Sequence, residues 1–457
     1  MHFDLVVKYA HGQVPRRLEP LSAESAIYLA MFSSCAYFGT PEKFPGGKMP
    51  APPWTQPVEK MRQDLAVNQA AWESQKNYEA PQAPLYYALA GAWWRAGQLC
   101  GLKSGALLYW LRFLNPLLVS GLVWIGYLAA RMIFPENRFL RLGVPALLAF
   151  LPQSAFYSIE NDVLSPSCFG VAYILLLLFL RAEVPGIPLA GAAGLALAAT
   201  YLAKIVNAPL IAVSMLMVSL KIWGLMKRSQ LRPALPAVSA LALCAGTPVG
   251  LWMLWCRENF GDLTGSTMSL QYWDVYAKPF GQWWTHPIFT LHGSWTFVSD
   301  TLSKFWSGEF TWHNQPMVPH ILGLFYAVLS IGLVVLALAR VCLAPAETTA
   351  WQRRALWFGF GGLVASMIFW GLQSIIYDFT GCPNPTPQYP YFSTGRYLLG
   401  ALVPFLLLFV YGLDRALDRF GEIAKFSAMA GLILFMLATE LAISWPAFSN
   451  PYNWFHL

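Results

Sequence analysis

Ten long apolar segments divide this chain, and segments of this kind leave few choices of fold. About 20 consecutive apolar residues form a helix that crosses the ~30 Å hydrocarbon core of a bilayer. Only 12% of the residues are charged, whereas soluble domains carry roughly 25%. The sequence therefore predicts an all-α, polytopic transmembrane helix bundle with about ten spans, at 107–130, 139–157, 163–181, 187–204, 208–226, 234–255, 320–342, 354–376, 397–414 and 426–445.

Lysines and arginines concentrate in alternate loops between these segments, which indicates how the chain is oriented. The basic loops lie near 131–141, 181, 227–232, 340–354 and 415–425. Because cytoplasmic loops of membrane proteins are enriched in Lys and Arg, we expect these loops inside the cell. The net charge of +7 then reflects membrane topology, and no nucleic-acid partner is predicted.

The opposite face is predicted to carry the larger polar segments of a multi-pass protein of a bacterial inner or plasma membrane. Five regions follow: a first outer loop with interfacial helices (1–106), spans with a short acidic outer loop at 158–162 (107–255), an aromatic outer loop (256–319), C-terminal spans with an outer loop at 377–396 (320–445), and an outer tail (446–457).

The start of the chain fits this topology only with a further element. Residues 1–106 are placed outside, yet MHFDLVVKYAHGQVP has neither the basic start nor the apolar core of a signal peptide. We therefore expect a first spanning helix that precedes Met1. The apolar stretch 26–38 has about 13 residues, too few to span, and a re-entrant role for it stays open.

Two carboxylates lie in the short outer loop YSIEND, between two predicted spans. Glu160 and Asp162 are thereby held at the membrane surface, where acidic groups are costly unless they are solvated or used. A simpler interpretation is a solvated turn in which 161–162 caps the next helix. The two interpretations are compatible.

Other polar residues of the outer face lie next to proline or aromatic residues. In NYEAPQAPLYY, Pro81 and Pro84 stiffen a loop that carries Glu79 and Gln82, and the Trp-rich helix Leu85–Leu99 after it is predicted to lie in the interface. The loop 273–312 is rich in Trp and Phe, which suits either anchoring in the headgroup region or a wall for a lipid-linked substrate.

Arg396, in STGRY, is the lone basic residue of its outer loop and is followed by Tyr397. A guanidinium suits a phosphate group, and an ion pair with a loop carboxylate such as Asp378 is an equal alternative. Lys204, at the outer end of its predicted span, is a second candidate for binding phosphate.

The order of several short motifs resembles a known family. The motifs are HFD, NYEAPQAPLYY, LRFLNPLLVSGLVWIGYLAARMIFP, IENDVL, YLAKIVNAP, FWSGEFTW and STGRYLLGALVPFLLL. Together they are similar to a large bacterial family of membrane proteins related to the GT-C glycosyltransferases, with protein O-mannosyltransferases and lipid A aminoarabinose transferases as more distant relatives. The similarity extends over most of the chain.

The resemblance implies sugar transfer at the outer membrane face from a polyprenyl-phosphate sugar to a glycan, lipid or protein acceptor. It places the second-loop acid at Asp162 and the acid of the stiff loop at Glu79. The acidic pair of the family's first loop has no counterpart here: His2 and Phe3 resemble the end of that motif, and Asp4 does not match it.

Sequence and resemblance together give a set of candidate site residues. The catalytic candidates, as base or metal ligand, are Asp162, Glu79 and Glu160; the substrate-binding candidates are Arg396, Lys204, Gln82, His2 and Tyr397. The need for a divalent metal stays open, and no spacing typical of a metal site occurs. Two other functions are weighed: a transporter or flippase of lipid-linked glycan, which needs ionisable residues along a path through the spans, and a non-catalytic envelope assembly protein.

Overall fold

The computed structural model describes residues 1–37, 39–380 and 385–452, and this part of the chain is overwhelmingly helical. Its α-helices are α1 (His2–Ala10), α2 (Ala23–Phe32), α3 (Val58–Glu73), α4 (Leu85–Leu99), α5 (Ser104–Ile133), α6 (Arg138–Ala149), α7 (Ser165–Arg181), α8 (Ile187–Ala203), α9 (Ala208–Lys227), α10 (Leu231–Phe260), α11 (Ser266–Tyr272), α12 (Leu291–Ser307), α13 (His320–Leu343), α14 (Ala350–Ile376), α15 (Leu402–Ala416) and α16 (Gly421–Phe448). The predicted all-α polytopic class is confirmed.

In the described part of the chain, eight helical segments are long and apolar enough to cross a membrane. They correspond to eight of the ten predicted spans: Ser104–Ile133, Asn161–Arg181, Ile205–Lys227, Leu231–Phe260, His320–Leu343, Ala350–Ile376, Gly395–Ala416 and Asp418–Phe448. The span predicted at 187–204 is the helix α8, which has 17 residues.

The span predicted at 139–157 is wrong in its length. The helix α6 ends at Ala149 after 12 residues, and the chain continues through irregular backbone and short 3-10 turns to α7. Pro152 explains the stop, because proline lacks the N–H that a helix needs and disfavours helical backbone at the residue before it. The interruption frees the segment that carries Glu160 and Asp162 from helical geometry.

The segment Gly395–Ala416, which ends with α15, is the centre of the bundle, and 89% of its most apolar stretch is buried inside the protein. It packs against α6, α13 and α14. At Gly412 a Cβ atom would overlap the backbone carbonyl of Leu333 on α13, so only glycine permits this approach. Close contact through small residues is a common basis of helix association in membranes.

The first hundred residues pack on the end of this bundle. Apolar residues of α1, Phe3 to Val7, contact Tyr87 and Trp94 of α4, and the same cluster includes Leu107 and Leu111 at the start of α5. The amphipathic helix predicted at Leu85–Leu99 is confirmed as α4. In the stretch 26–38, residues up to Phe32 belong to α2, and Phe38 lies outside the described residues.

Two small antiparallel ladders organise the aromatic loop. Strand β1 (Tyr276–Ala277) pairs with β4 (Tyr377–Asp378), and this pairing joins the aromatic loop to the end of α14. Strand β2 (Thr311–Trp312) pairs with β3 (Gln315–Pro316) across a two-residue turn. Both turn residues, His313 and Asn314, have positive φ angles, as a type I′ hairpin requires.

The predicted cytoplasmic loops gather at one end of the bundle. There Arg354 donates a hydrogen bond of 3.3 Å to the carbonyl of Leu180 at the end of α7, and Gln352 donates one of 3.1 Å to the carbonyl of Ile133 at the end of α5. The segments predicted to be outside lie at the other end, where the polar residues singled out above meet.

Candidate functional site

The acidic turn before α7 and the end of α8 form a buried ion pair. Asp162 is fully buried, Lys204 is 4% exposed, and the Nζ atom of Lys204 donates to Oδ2 of Asp162. Asn161 supports the arrangement by donating a hydrogen bond of 3.2 Å to the Ala203 carbonyl, a helix-end acceptor without an intrahelical partner. The Oδ1 atom of Asp162 is buried and has no hydrogen-bond partner among the described residues.

Arg396 is paired with two carboxylates from different segments. Its guanidinium donates a hydrogen bond of 2.7 Å to Glu160, and its Nε atom lies 3.5 Å from Oε2 of Glu309. The alternative partner weighed above, Asp378, instead accepts from the backbone and hydroxyl of Thr380. Arg396 therefore connects the acidic turn to the aromatic loop.

Tyr397 lies between the two cations of the site. Its ring centroid is 4.9 Å from Nζ of Lys204 and 5.7 Å from Cζ of Arg396. Cations at these distances are attracted by the ring quadrupole. The ring also packs on Trp370, at a centroid separation of 4.5 Å, so its position is fixed from α14.

The stiff loop reaches the same cluster. Gln82 donates a hydrogen bond of 2.7 Å to Glu79, and Asn161 donates one of 3.1 Å to Gln82. His2 lies 3.9 Å from Glu79 and forms a hydrogen bond of 2.6 Å with the hydroxyl of Tyr87. All eight candidate residues from the sequence thus lie in one connected network of contacts.

Asp4 lies in a different environment from the eight candidate residues. It accepts hydrogen bonds of 2.8 Å from the Ser22 backbone and from Asn77, and it forms an ion pair of 2.9 Å with Lys8. Burial alone would raise the pKa of Asp4, but these donors lower it below its usual range. Its contacts hold α1 against the rest of the first outer segment.

Burial controls the charge state of the carboxylates. It raises the pKa of Glu160 to about 7, with Asp162 also raising it and Arg396 and Lys204 opposing the shift. Burial likewise raises the pKa of Glu309, again opposed by Arg396. Burial and the nearby cations lower the pKa of His2 well below its usual value, so His2 is neutral at pH 7.

Two cavities meet at the pair formed by Arg396 and Glu309. The first has a volume of about 410 Å³ and is also lined by Glu160 and Arg112. The second has a volume of about 1010 Å³ and is also lined by Lys304 and Trp295 of α12 and by Phe392 and Tyr397. Asp162, Lys204, Glu79, Gln82 and His2 line neither of these two cavities and lie behind the residues that do.

Sequence reasoning missed three polar residues of this region. Glu309 lies inside the quoted motif FWSGEFTW, where an acid among aromatic residues was a signal. Lys304 lies in the predicted aromatic loop, where no motif singled it out; it forms an ion pair of 2.7 Å with Asp300 and lies 3.9 Å from Glu309. Arg112 was hidden near the end of a predicted span.

No group of three or more His, Cys, Asp or Glu side chains that could hold a metal ion occurs among the described residues. Glu160 and Glu309 share the guanidinium of Arg396, and Asp162 is paired with Lys204, so each of these carboxylates faces a cation. The arrangement can therefore exchange a proton at Glu160 and bind an anion at Arg396 or Lys304 with side chains alone.

Comparison of this chain with known proteins identified no relative. No protein-family model matches this chain, and no curated protein and no solved structure matches it either.

Proposed function

We propose that this membrane protein is a glycosyltransferase that moves a sugar from a polyprenyl-phosphate donor to an envelope acceptor at the outer membrane face. One observation carries the proposal: a wall of paired acidic and cationic residues, Glu160, Glu309 and Arg396, separates two cavities at one end of the spanning helices. Two substrates could reach this wall from different sides.

The acceptor needs a base, and Glu160 is the best placed. It lines the first cavity, and its pKa of about 7 lets it accept a proton near neutral pH. One of its oxygens is held by Arg396, which fixes the direction of the other. Asp162 is fully buried behind it, so we assign to Asp162 a positioning role through its charge and its pairing with Lys204.

The donor needs cations for its phosphate and an apolar environment for its chain. The second cavity offers Arg396 and Lys304, together with Trp295, Phe392 and Tyr397 in its walls. Cations that neutralise a departing phosphate lower the barrier to its departure. Aromatic side chains at the membrane interface suit a ligand whose tail is in lipid.

The proposed step transfers the sugar in a single displacement. The acceptor hydroxyl gives its proton to Glu160 while its oxygen bonds to the anomeric carbon. The bond from that carbon to the phosphate oxygen breaks, and its electron pair leaves with the polyprenyl phosphate, whose charge Arg396 and Lys304 balance. A base and a leaving group on opposite sides of the sugar give inversion at the anomeric carbon.

A transporter receives less support from the contacts of Lys221, a charged residue within the spanning helix α9. Its Nζ atom donates to backbone carbonyls at the end of α7, among them Ala182 at 2.5 Å. Lys221 therefore caps the C-terminal end of α7, whereas a transport path would need exposed ionisable groups along it.

The test compares Glu160→Gln with the exposed matched control Glu59→Gln in proteoliposomes supplied with a panel of polyprenyl-phosphate sugars and an envelope extract as acceptor. Removing a general base should reduce transfer by roughly 100- to 10,000-fold, while the control should match the wild type. Transfer that survives Glu160→Gln unchanged rejects the assigned base. A wild-type protein that moves the lipid-linked sugar across the bilayer without transferring it rejects the enzyme proposal.

A further inference from the structure

The first cavity contains a guanidinium group that has no counterion within the described residues. Arg112 lies in the first turns of α5, its side chain is half-buried, and it lines the cavity of about 410 Å³. Its Nε atom is buried and has no hydrogen-bond partner in the described part of the chain. A cation held in this state near the end of a membrane span is costly, and such residues generally serve a ligand or a partner.

The other cations of this region are all paired. Lys204 contacts Asp162, Arg396 contacts Glu160, and Lys304 contacts Asp300. The cavity does contain two carboxylates, Glu160 and Glu309, but Arg396 engages both of them. Arg112 is therefore the cation of this lining that has no carboxylate within ion-pair distance among the described residues.

The rest of the lining suits the phosphate end of a lipid. Hydroxyl groups of serine and tyrosine side chains can donate hydrogen bonds to phosphate oxygens, and those of the lining include Ser33, Ser34, Tyr37, Ser154 and Tyr157. Apolar side chains from the ends of two spanning helices, Leu108 of α5 and Phe448 of α16, form another part of the wall. A ligand there meets both polar groups and the membrane boundary.

We propose that this cavity binds the phosphate group of a phosphomonoester lipid, with Arg112 as the principal phosphate ligand. A planar guanidinium can donate two parallel hydrogen bonds to phosphate oxygens, which a lysine cannot do. The volume of about 410 Å³ accommodates a headgroup rather than a whole lipid. Glu160 lines the same cavity, so the lipid phosphate would share it with the acceptor of the proposed transfer, whereas the donor phosphate site at Lys304 lies in the second cavity. Binding of the lipid phosphate can be measured without sugar transfer.

The test measures equilibrium binding of dihexanoyl phosphatidic acid to the purified full chain in detergent, with dihexanoylglycerol and inorganic phosphate as separate probes. Arg112→Gln should weaken binding of phosphatidic acid by roughly 10- to 100-fold, the value of a lost charged hydrogen bond. The affinity of Arg112→Lys for phosphatidic acid should lie between those of the wild type and Arg112→Gln. The exposed control Arg95→Gln should have the affinity of the wild type. Dihexanoylglycerol should bind no better to the wild type than to Arg112→Gln.

Two further measurements separate this proposal from its alternatives. In a Lys304→Gln background, which weakens the proposed donor site, the effect of Arg112→Gln should persist; its disappearance would assign the binding to the donor site and overturn the inference. A purely structural Arg112 predicts that Arg112→Gln lowers the unfolding temperature of the ligand-free protein and leaves phosphatidic acid affinity unchanged. Inorganic phosphate binding as tightly as phosphatidic acid would refute the lipid as the ligand.

Discussion

Removing Lys204 should expose how strongly the site depends on its buried ion pair. Asp162 is fully buried and Lys204 is 4% exposed, so neither group can be solvated when the other is lost. In Lys204→Met the Asp162 carboxylate would lose its ion-pair partner, and its second oxygen already has none. Breaking a buried pair in this way costs about 3–5 kcal/mol of stability.

The double variant Asp162→Asn/Lys204→Met should recover most of that loss. Replacing both members of a buried pair by neutral groups is often close to neutral, because no uncompensated charge is left behind. A double-mutant cycle on the exposed ion pair of Arg340 and Glu347, which lie 3.9 Å apart, serves as the control. Its coupling energy should be about 0–1 kcal/mol, the usual range for surface ion pairs.

The assay is the free energy of unfolding of the purified protein in bicelles, measured for both single variants, the double variant and the control cycle. The reasoning predicts a large coupling energy for Asp162 with Lys204 and a small one for the control. Two results would contradict this reasoning. One is a loss of less than about 1 kcal/mol in the free energy of unfolding of Lys204→Met; the other is a loss in the double variant that equals the sum of the losses in the two single variants.

Two other predictions use the pKa of one carboxylate and the packing of one glycine. Because burial raises the pKa of Glu160 to about 7, kcat/KM of transfer should rise as pH increases through about 7 and level off above it; Asp162→Asn removes a charge that raises this pKa and should move the rise to lower pH. An unchanged pH profile in Asp162→Asn would contradict the assigned positioning role. Gly412→Leu should destabilise the bundle by about 1–3 kcal/mol or more in the same unfolding assay, since its side chain would collide with the backbone of Leu333, whereas Gly431→Leu, at a position with open space, should not.

The candidate site shows where sequence reasoning was informative and where it was not. Unusual polar residues next to predicted spans, such as Glu160 and Arg396, could be found because the membrane leaves few reasons for charge at that depth. Their pairing with each other could not be found, since they are more than two hundred positions apart in the chain and lie 2.7 Å apart in the structure. Asp378, the carboxylate considered as an alternative partner for Arg396, is close to it in sequence, but Arg396 contacts Glu160 instead.

Residue type and order along this chain determined the helical class, eight of the spans and the helix Leu85–Leu99, because apolar length and periodicity act locally. Only the tertiary structure decided that Glu309 joins the site and that Arg112 faces a cavity without a counterion among the described residues. These outcomes depend on which segments meet in space, and the distances between charges that control pKa and pairing exist only after the helices have packed.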